Sequence, residues 1–444
     1  MENQNAYSKP VTLKNILAFA VPTIAMTVFM SFYTMVDGLF VSNLIGTDAL
    51  SAINLTAPVI QLVTAVSTML ATGGSAVIMR KMGEHKVEEA KEDFTFLILV
   101  NVAAGFVMCG LGYLVMEPVF TGMNLSGDVT GYCVAYLSRY LLFTVPILLM
   151  NNFTLYMIAS EKAALSLACS VAGGVLNMVL DYVLIAVFDL GISGAAMATG
   201  LGYSVTAVVG FFVFCSRKNL LHFKKPVFRF RVLASAAANG CSEMATALVT
   251  GIVTMMFNWM MLHYVGEDGI AAVTIITYVL MFASSLYTGY SYGVAPMLSF
   301  YYGERSHDKL KKLVALSLKV IAGISVLTAA ASFFLTRPLV SVFARLDHPV
   351  YDLAVTGNRI CTIALLFIGF NIFASGMFTA LSNGVVSAIL AFSRSFVFML
   401  FTMILLPLLL GVNGIWLATP VAECMALALS AFMFVKYRNR YQYG

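Results

Sequence analysis

Gly46-Thr47-Asp48-Ala49-Leu50-Ser51-Ala52-Ile53 is echoed by Gly266-Glu267-Asp268-Gly269-Ile270-Ala271-Ala272-Val273, 220 residues further on. The same offset recurs outward from there. Gly83-Glu84 returns as Gly303-Glu304, Glu117-Pro118 as Arg337-Pro338, Arg139 as Arg359 and Asn151 as Asn371. Gly194-Ala195-Ala196-Met197-Ala198-Thr199 returns as Gly414-Ile415-Trp416-Leu417-Ala418-Thr419. Each match is weak alone, but one shared offset is strong evidence for a duplicated unit. Against it, Asp37 stands opposite Phe257, Asn177 opposite Val397 and Asp181 opposite Phe401. The scaffold is duplicated and these polar groups are not, so function is sought among them.

Of 444 residues, 60% are hydrophobic and 11% charged, with a mean hydropathy of +0.90. Soluble domains carry roughly 25% charged residues. Apolar stretches long enough to span a bilayer recur along the whole length, and strand alternation is absent. The composition therefore implies an all-α integral membrane protein. Residues 1–10 are polar with no apolar h-region, so no cleaved signal peptide is expected. The seven cysteines are scattered and without CxxC spacing, and read as small apolar residues.

Twelve transmembrane helices are expected, near 22–43, 50–79, 94–116, 132–158, 163–188, 194–216, 241–264, 270–301, 313–335, 351–381, 385–410 and 414–436. Apolar lead-ins at 11–21 and 230–240, broken at Pro22 and Asn239-Gly240, read as short helices on the membrane surface. Basic residues cluster after spans two, six, eight and twelve. The opposite loops hold Asp48, Glu117, Asp128, Asp189, Glu267 and Asp268. The positive-inside rule puts both termini and the 217–231 linker in the cytoplasm. Six spans per repeat is an even number. The two six-helix lobes, 1–216 and 232–444, should thus be related by a parallel pseudo-twofold repeat around a central cavity. The basic linker reads as a topology determinant touching lipid headgroups.

Ionisable groups inside a bilayer cost several kcal/mol, so each needs a reason. Asp37 lies in the outer half of span one. Asn177 and Asp181 share a face of span five at i,i+4 spacing. Thr199 lies at similar depth, and Gly173 and Gly174 allow a neighbouring helix close. Two carboxylates with amide and hydroxyl oxygens make a cation site, either for Na⁺ or for a shared proton. The alternative is a buried network that only pins helices. Asn151, duplicated as Asn371, fits a structural role equally. Arg139 and Arg359 read as packing anchors, and Arg394 with Glu423 as a buried salt bridge. Glu243 reads as a cap or gate at the inner start of span seven ahead of the alternative, a substrate contact. Met30, Tyr33, Phe257 and Met261 are candidate cavity walls for apolar cations, although such residues also face lipid.

The lead-in, Pro22, Val36-Asp37-Gly38-Leu39-Phe40-Val41, Gly46 and Ala49-Leu50 resemble the first span of the MATE (multidrug and toxic compound extrusion) transporters. Asn177-Met178-Val179-Leu180-Asp181 and Gly194-Ala195-Ala196-Met197-Ala198-Thr199 resemble their fifth and sixth spans. The resemblance implies an antiporter that exchanges H⁺ or Na⁺ for cationic or amphipathic drugs by alternating access. It places Asp37, Asn177, Asp181 and Thr199 in the N-lobe cation site, with Asn151 as a further member. The NorM-like branch adds acids in spans seven and ten. Here the span-seven position falls near Gly251, and span ten has no acid after Asp352. The chain thus resembles the DinF-like bacterial branch. Expected with it are a bacterial cytoplasmic membrane, no cofactor beyond the coupling ion, a monomer, and no nucleic-acid partner. The partners are membrane lipids and small organic cations.

A flippase for lipids or lipid-linked oligosaccharides is the alternative. It would favour a cationic cavity, whereas the unduplicated groups here are acids. No GxxxxGK[ST] loop is present for an ATP-driven pump, and no HExxH or GxSxG for an enzyme.

Overall fold

The computed structural model describes Tyr7 and residues 9–44, 47–122 and 127–443. Gly46 and residues 1–6 and 8 lie outside them, as do the side chains of Asp48 and Asp128. All regular structure among the described residues is helical. This follows from the solvent, because a backbone in hydrocarbon must satisfy its hydrogen bonds within its own segment.

The first half supplies α1 (Leu13–Leu44), α2 (Thr47–Gly83), α3 (Val87–Gly122), α4 (Gly127–Leu142), α5 (Thr144–Ala159), α6 (Ala163–Asp181) and α7 (Gly191–Cys215). The second supplies α8 (Phe230–Tyr264), α9 (Glu267–Glu304), α10 (His307–Phe334), α11 (Thr336–Ser341), α12 (Pro349–Cys361) and α13 (Leu365–Ala380). It ends with α14 (Gly384–Phe392), α15 (Met399–Leu410) and α16 (Val412–Tyr441). The repeat is visible in this order: α2 and α9 begin 220 residues apart, as do α3 and α10. Among the described residues, eleven segments are long and apolar enough to cross a membrane; α4 with α5, bent by 53°, makes a twelfth when counted as one broken span. Large apolar side chains such as Leu114, Phe212 and Leu408 are two-thirds or more exposed, as a lipid-facing surface requires.

The lead-ins are not separate surface helices. α1 runs through Pro22, and α8 through Asn239 and Gly240. Membrane helices tolerate such residues because nearby hydroxyls and helices serve the disturbed backbone. Thr23 Oγ1 donates to the carbonyls of Phe19 (3.3 Å) and Ala20 (2.8 Å).

The compact units also part elsewhere than at 217–231. One comprises Val28–Gly240, the other Met1–Thr27 with Cys241–Gly444. The start of α1 is bound to the second-half helices. Thr27 Oγ1 donates to the Ser285 carbonyl at 2.7 Å, and Tyr7 stacks on Phe300 at 4.9 Å. The start of α8 belongs to the first-half unit. A Cβ on Gly240 would lie 1.9 Å from the Met69 carbonyl oxygen, so only glycine fits that crossing.

The 217–231 linker belongs to the Val28–Gly240 unit, and two of its cations are engaged by protein. Lys224 pairs with Glu88 at 2.8 Å and Glu92 at 3.3 Å. Arg229 pairs with Glu92 and Asp93, each at 2.9 Å. The bond to Glu88 pushes the Lys224 pKa up, and the bond to Asp93 does the same for Arg229. Asp93, fully buried, is also held by Lys81. The acids at the start of α3 therefore take charge that the sequence reading assigned to lipid headgroups.

Candidate functional site

The site begins with a helix crossing. Gly173 on α6 faces Gly202 on α7 so closely that a Cβ on Gly173 would sit 2.5 Å from the Gly202 carbonyl oxygen. That approach brings Asn177, one turn along α6, to Thr199 on α7. Asn177 Nδ2 donates to Thr199 Oγ1 at 3.3 Å, and Thr199 Oγ1 donates onward to the Ala195 carbonyl at 3.1 Å. Gly174 meanwhile lets α1 in, with Phe29 and Tyr33 against it. Asp37 follows Tyr33 by one turn on that helix.

Asp181 ends α6 and is fully buried. From Tyr182 to Val187 the helix widens to π geometry, a distortion common at functional sites. The carboxyl groups of Asp37 and Asp181 lie close enough to interact directly. Four buried oxygens here have no hydrogen-bond donor among the described residues: Asp37 Oδ1, Asn177 Oδ1 and both carboxyl oxygens of Asp181. Buried polar atoms are nearly always paired, so four orphans in one place demand a partner. All four are acceptors, and two ionised carboxylates this close repel. A proton or a metal cation relieves both conditions.

Tyrosines surround the acid pair. Tyr33 and Tyr136 act electrostatically on both acids and Tyr203 on Asp37, and the phenols of Tyr33 and Tyr203 lie against one another. Sequence reasoning missed Tyr136 and Tyr203. A signal existed for Tyr203, which follows Thr199 by four residues and so shares its helix face. Tyr136, on α4, had none.

Other candidates fall elsewhere. Asn151 Nδ2 donates to Ser67 Oγ at 3.0 Å, tying α5 to α2. Met30 and Tyr33 line a narrow cleft with Gly173, Gly174, Tyr203 and Thr206. Met261 is fully buried in the second-half core with Trp416 and so is no cavity wall, whereas Phe257 is half-buried against that core. Arg139 and Arg359 are exposed, the latter over the Phe333 ring at 5.7 Å. Arg394 Nε donates to both carboxylate oxygens of Glu423, at 2.8 and 3.0 Å. Glu243 does not cap a helix, because α8 already begins at Phe230.

The repeat partners also need correction. Val397 and Phe401 are about half exposed, whereas Asn177 and Asp181 are buried. A π-helical segment at Ser393–Phe398 adds a residue to the turn and rotates the remainder of the span. Thr402, not Phe401, therefore points inward; it is 1% exposed and donates to the Ala418 carbonyl at 3.0 Å.

Eleven apolar spans, or twelve with the bent α4–α5 pair, from a repeated unit with unduplicated acids inside its first copy, define a multipass membrane protein of transporter type. The MatE family model matches twice, over residues 22–183 and 244–405, and the chain belongs to that family. Among its relatives is the multidrug export protein MepA of Staphylococcus saprophyticus, 23% identical over 429 residues, covering 95% of this chain and 92% of the relative. A crystal structure of MATE in complex with MaL6 superposes with a TM-score of 0.93 at 21% identity over all of both chains. An outward-facing multidrug resistance MATE family transporter of the MOP superfamily gives 0.92 at 20% identity, covering 100% of this chain and 99% of that one. At such identities the two structures establish the fold.

Proposed function

We propose that the protein is a secondary antiporter of a bacterial cytoplasmic membrane, exporting cationic or amphipathic organic compounds in exchange for protons. The four donor-less oxygens of Asp37, Asn177 and Asp181 carry this reading, and the export proteins among the relatives support it. The acids sit among tyrosines and glycine-mediated helix contacts, where a charge change is felt strongly because little water screens it. Proton uptake from outside neutralises the pair, and proton loss to the cytoplasm restores its charge. Export follows if the two charge states favour opposite openings of the transporter, since a ligand moves a conformational equilibrium only by its differential affinity.

The proton is preferred to Na⁺ because Asp37, Asn177, Asp181 and Thr199 offer few side-chain oxygens for a metal shell without backbone or water, and the Thr199 hydroxyl, already bonded to Asn177 and Ala195, has one lone pair left. Thr199→Val is accordingly expected to leave proton-driven efflux within about threefold of wild type, because the two neutral hydrogen bonds it removes, each worth about 1 kcal/mol, neither take up nor release a proton. The check is dye efflux from proteoliposomes with H⁺ and Na⁺ gradients imposed separately. Export that follows a Na⁺ gradient with the proton gradient dissipated, and that Thr199→Val cripples, overturns the proton assignment.

The orientation is tested separately. Single cysteines at 48 and 268 are expected to react with an impermeant maleimide from outside, and those at 86 and 224 only after permeabilisation. Labelling of 48 and 268 from opposite faces would refute the parallel repeat.

A further inference from the structure

The second half holds its own buried charged cluster, which the antiport reading does not use. Arg394 lies in the π-helical segment Ser393–Phe398, Glu423 on α16, Asn371 on α13, Tyr292 on α9 and Glu243 on α8. Glu423 is saturated: it receives Arg394 Nε on both oxygens and Asn371 Nδ2 at 2.8 Å. Asn371 is fixed in turn, since its Oδ1 accepts from Ser430 Oγ at 3.0 Å and its amide also reaches the Glu423 carbonyl. Arg394 and Glu423 thus form a neutral, immobilised pair.

Glu243 differs from Glu423 in each respect. No hydrogen bond reaches its carboxylate among the described residues, and it keeps accessible surface. Its electrostatic neighbours are Arg394, whose charge Glu423 already balances, and the half-buried phenol of Tyr292. The backbone beneath it is fixed, because the preceding residue, Ser242, accepts from Ser387 Oγ at 2.9 Å. Glu423, buried, holds its donors as buried polar groups do; Glu243, with accessible surface, has its carboxylate open to a cationic partner. With Glu423 and Arg394 cancelling, ionised Glu243 leaves the cluster one negative charge in excess. An anion would be repelled, and a cation attracted.

We propose that Glu243, the acid left unbalanced beside the Arg394–Glu423 pair, binds the positive group of an exported organic cation. The proposal rests on the export reading and extends it by naming a substrate contact apart from the Asp37–Asp181 pair. The phenol of Tyr292 lies within electrostatic range of Glu243, and an aromatic face in that neighbourhood favours a delocalised cation. Glu243 and Phe257 share α8, and Phe257 is half-buried against the second-half core.

The test is equilibrium binding of ethidium, and of the neutral dye Nile red, to the full chain in lipid nanodiscs. Glu243→Gln is expected to weaken ethidium at least tenfold and leave Nile red unchanged, with Glu243→Asp intermediate. In wild-type protein, ethidium is expected to slow carbodiimide modification of Glu243 severalfold, which needs no variant to fold. Ethidium affinity unchanged in Glu243→Gln, parallel loss of both dyes, or absence of protection each overturns the site. If wild type binds ethidium and the variant matches it, only this site falls. If wild type neither binds nor exports organic cations, the export reading falls with it.

Discussion

Asp37→Asn and Asp181→Asn are each expected to abolish gradient-driven export, by about a hundredfold or more, without loss of folded protein. The argument is in what each carboxylate does for the fold. Neither oxygen of Asp181 accepts a hydrogen bond, nor does Asp37 Oδ1. No native bond among these atoms is broken by the exchange, and an amide removes a charge that is costly to bury. Melting temperature should therefore stay level or rise in both variants, the usual trade between stability and a strained functional site. Export should still collapse, because an amide cannot take up and release a proton near neutral pH. Reconstituted protein, tested for dye accumulation against a gradient beside a thermal melt, gives both readings. Near wild-type pumping in both variants would remove the acid pair from the mechanism.

Much of this was legible in the chain because membrane folding leaves few choices. Hydrocarbon forces helices, so apolar length alone marked the spans. The cost of buried charge singled out Asp37 and Asp181, and i,i+4 spacing put Asn177 on the same face. Gly173 was correctly read as a point of close approach, since only a missing Cβ allows the Gly202 backbone so near.

What escaped the sequence was non-local or register-dependent. Pro22 reads as a break, yet α1 runs through it, as packed membrane helices allow. A fixed offset cannot see a π-helical segment, so it set Phe401 against Asp181 where Thr402 holds the inward position. Tyr136 comes from a different helix and reaches the acids only through packing. The acids at the start of α3 drew no notice in the sequence, because only packing brings Lys224 and Arg229 onto them.

The Arg394–Glu423 pair gives the largest expected stability effect, and an asymmetric one. Breaking a buried ion pair by removing one partner costs about 3–5 kcal/mol, because the other charge is stranded. Arg394→Met strands two acids, Glu423 and the neighbouring Glu243, with no cation between them. Glu423→Gln strands only Arg394, which still has Glu243 beside it, and the glutamine can keep a bond to Asn371. Arg394→Met is therefore expected to be the more damaging single change, by roughly 1–2 kcal/mol, a fraction of the cost of a stranded buried charge. The double variant should recover part of the Arg394→Met loss, since one of the two stranded acids is gone. Adding Glu243→Gln should recover the rest. The measurement is thermal or denaturant unfolding in a fixed detergent, read as a mutant cycle so that coupling is separated from single-site effects. Equal losses for the two single variants, with no recovery in the double, would mean that Glu243 does not share the field of Arg394. Glu423→Gln as the worse of the two would place the stabilising weight on the Asn371 contact instead.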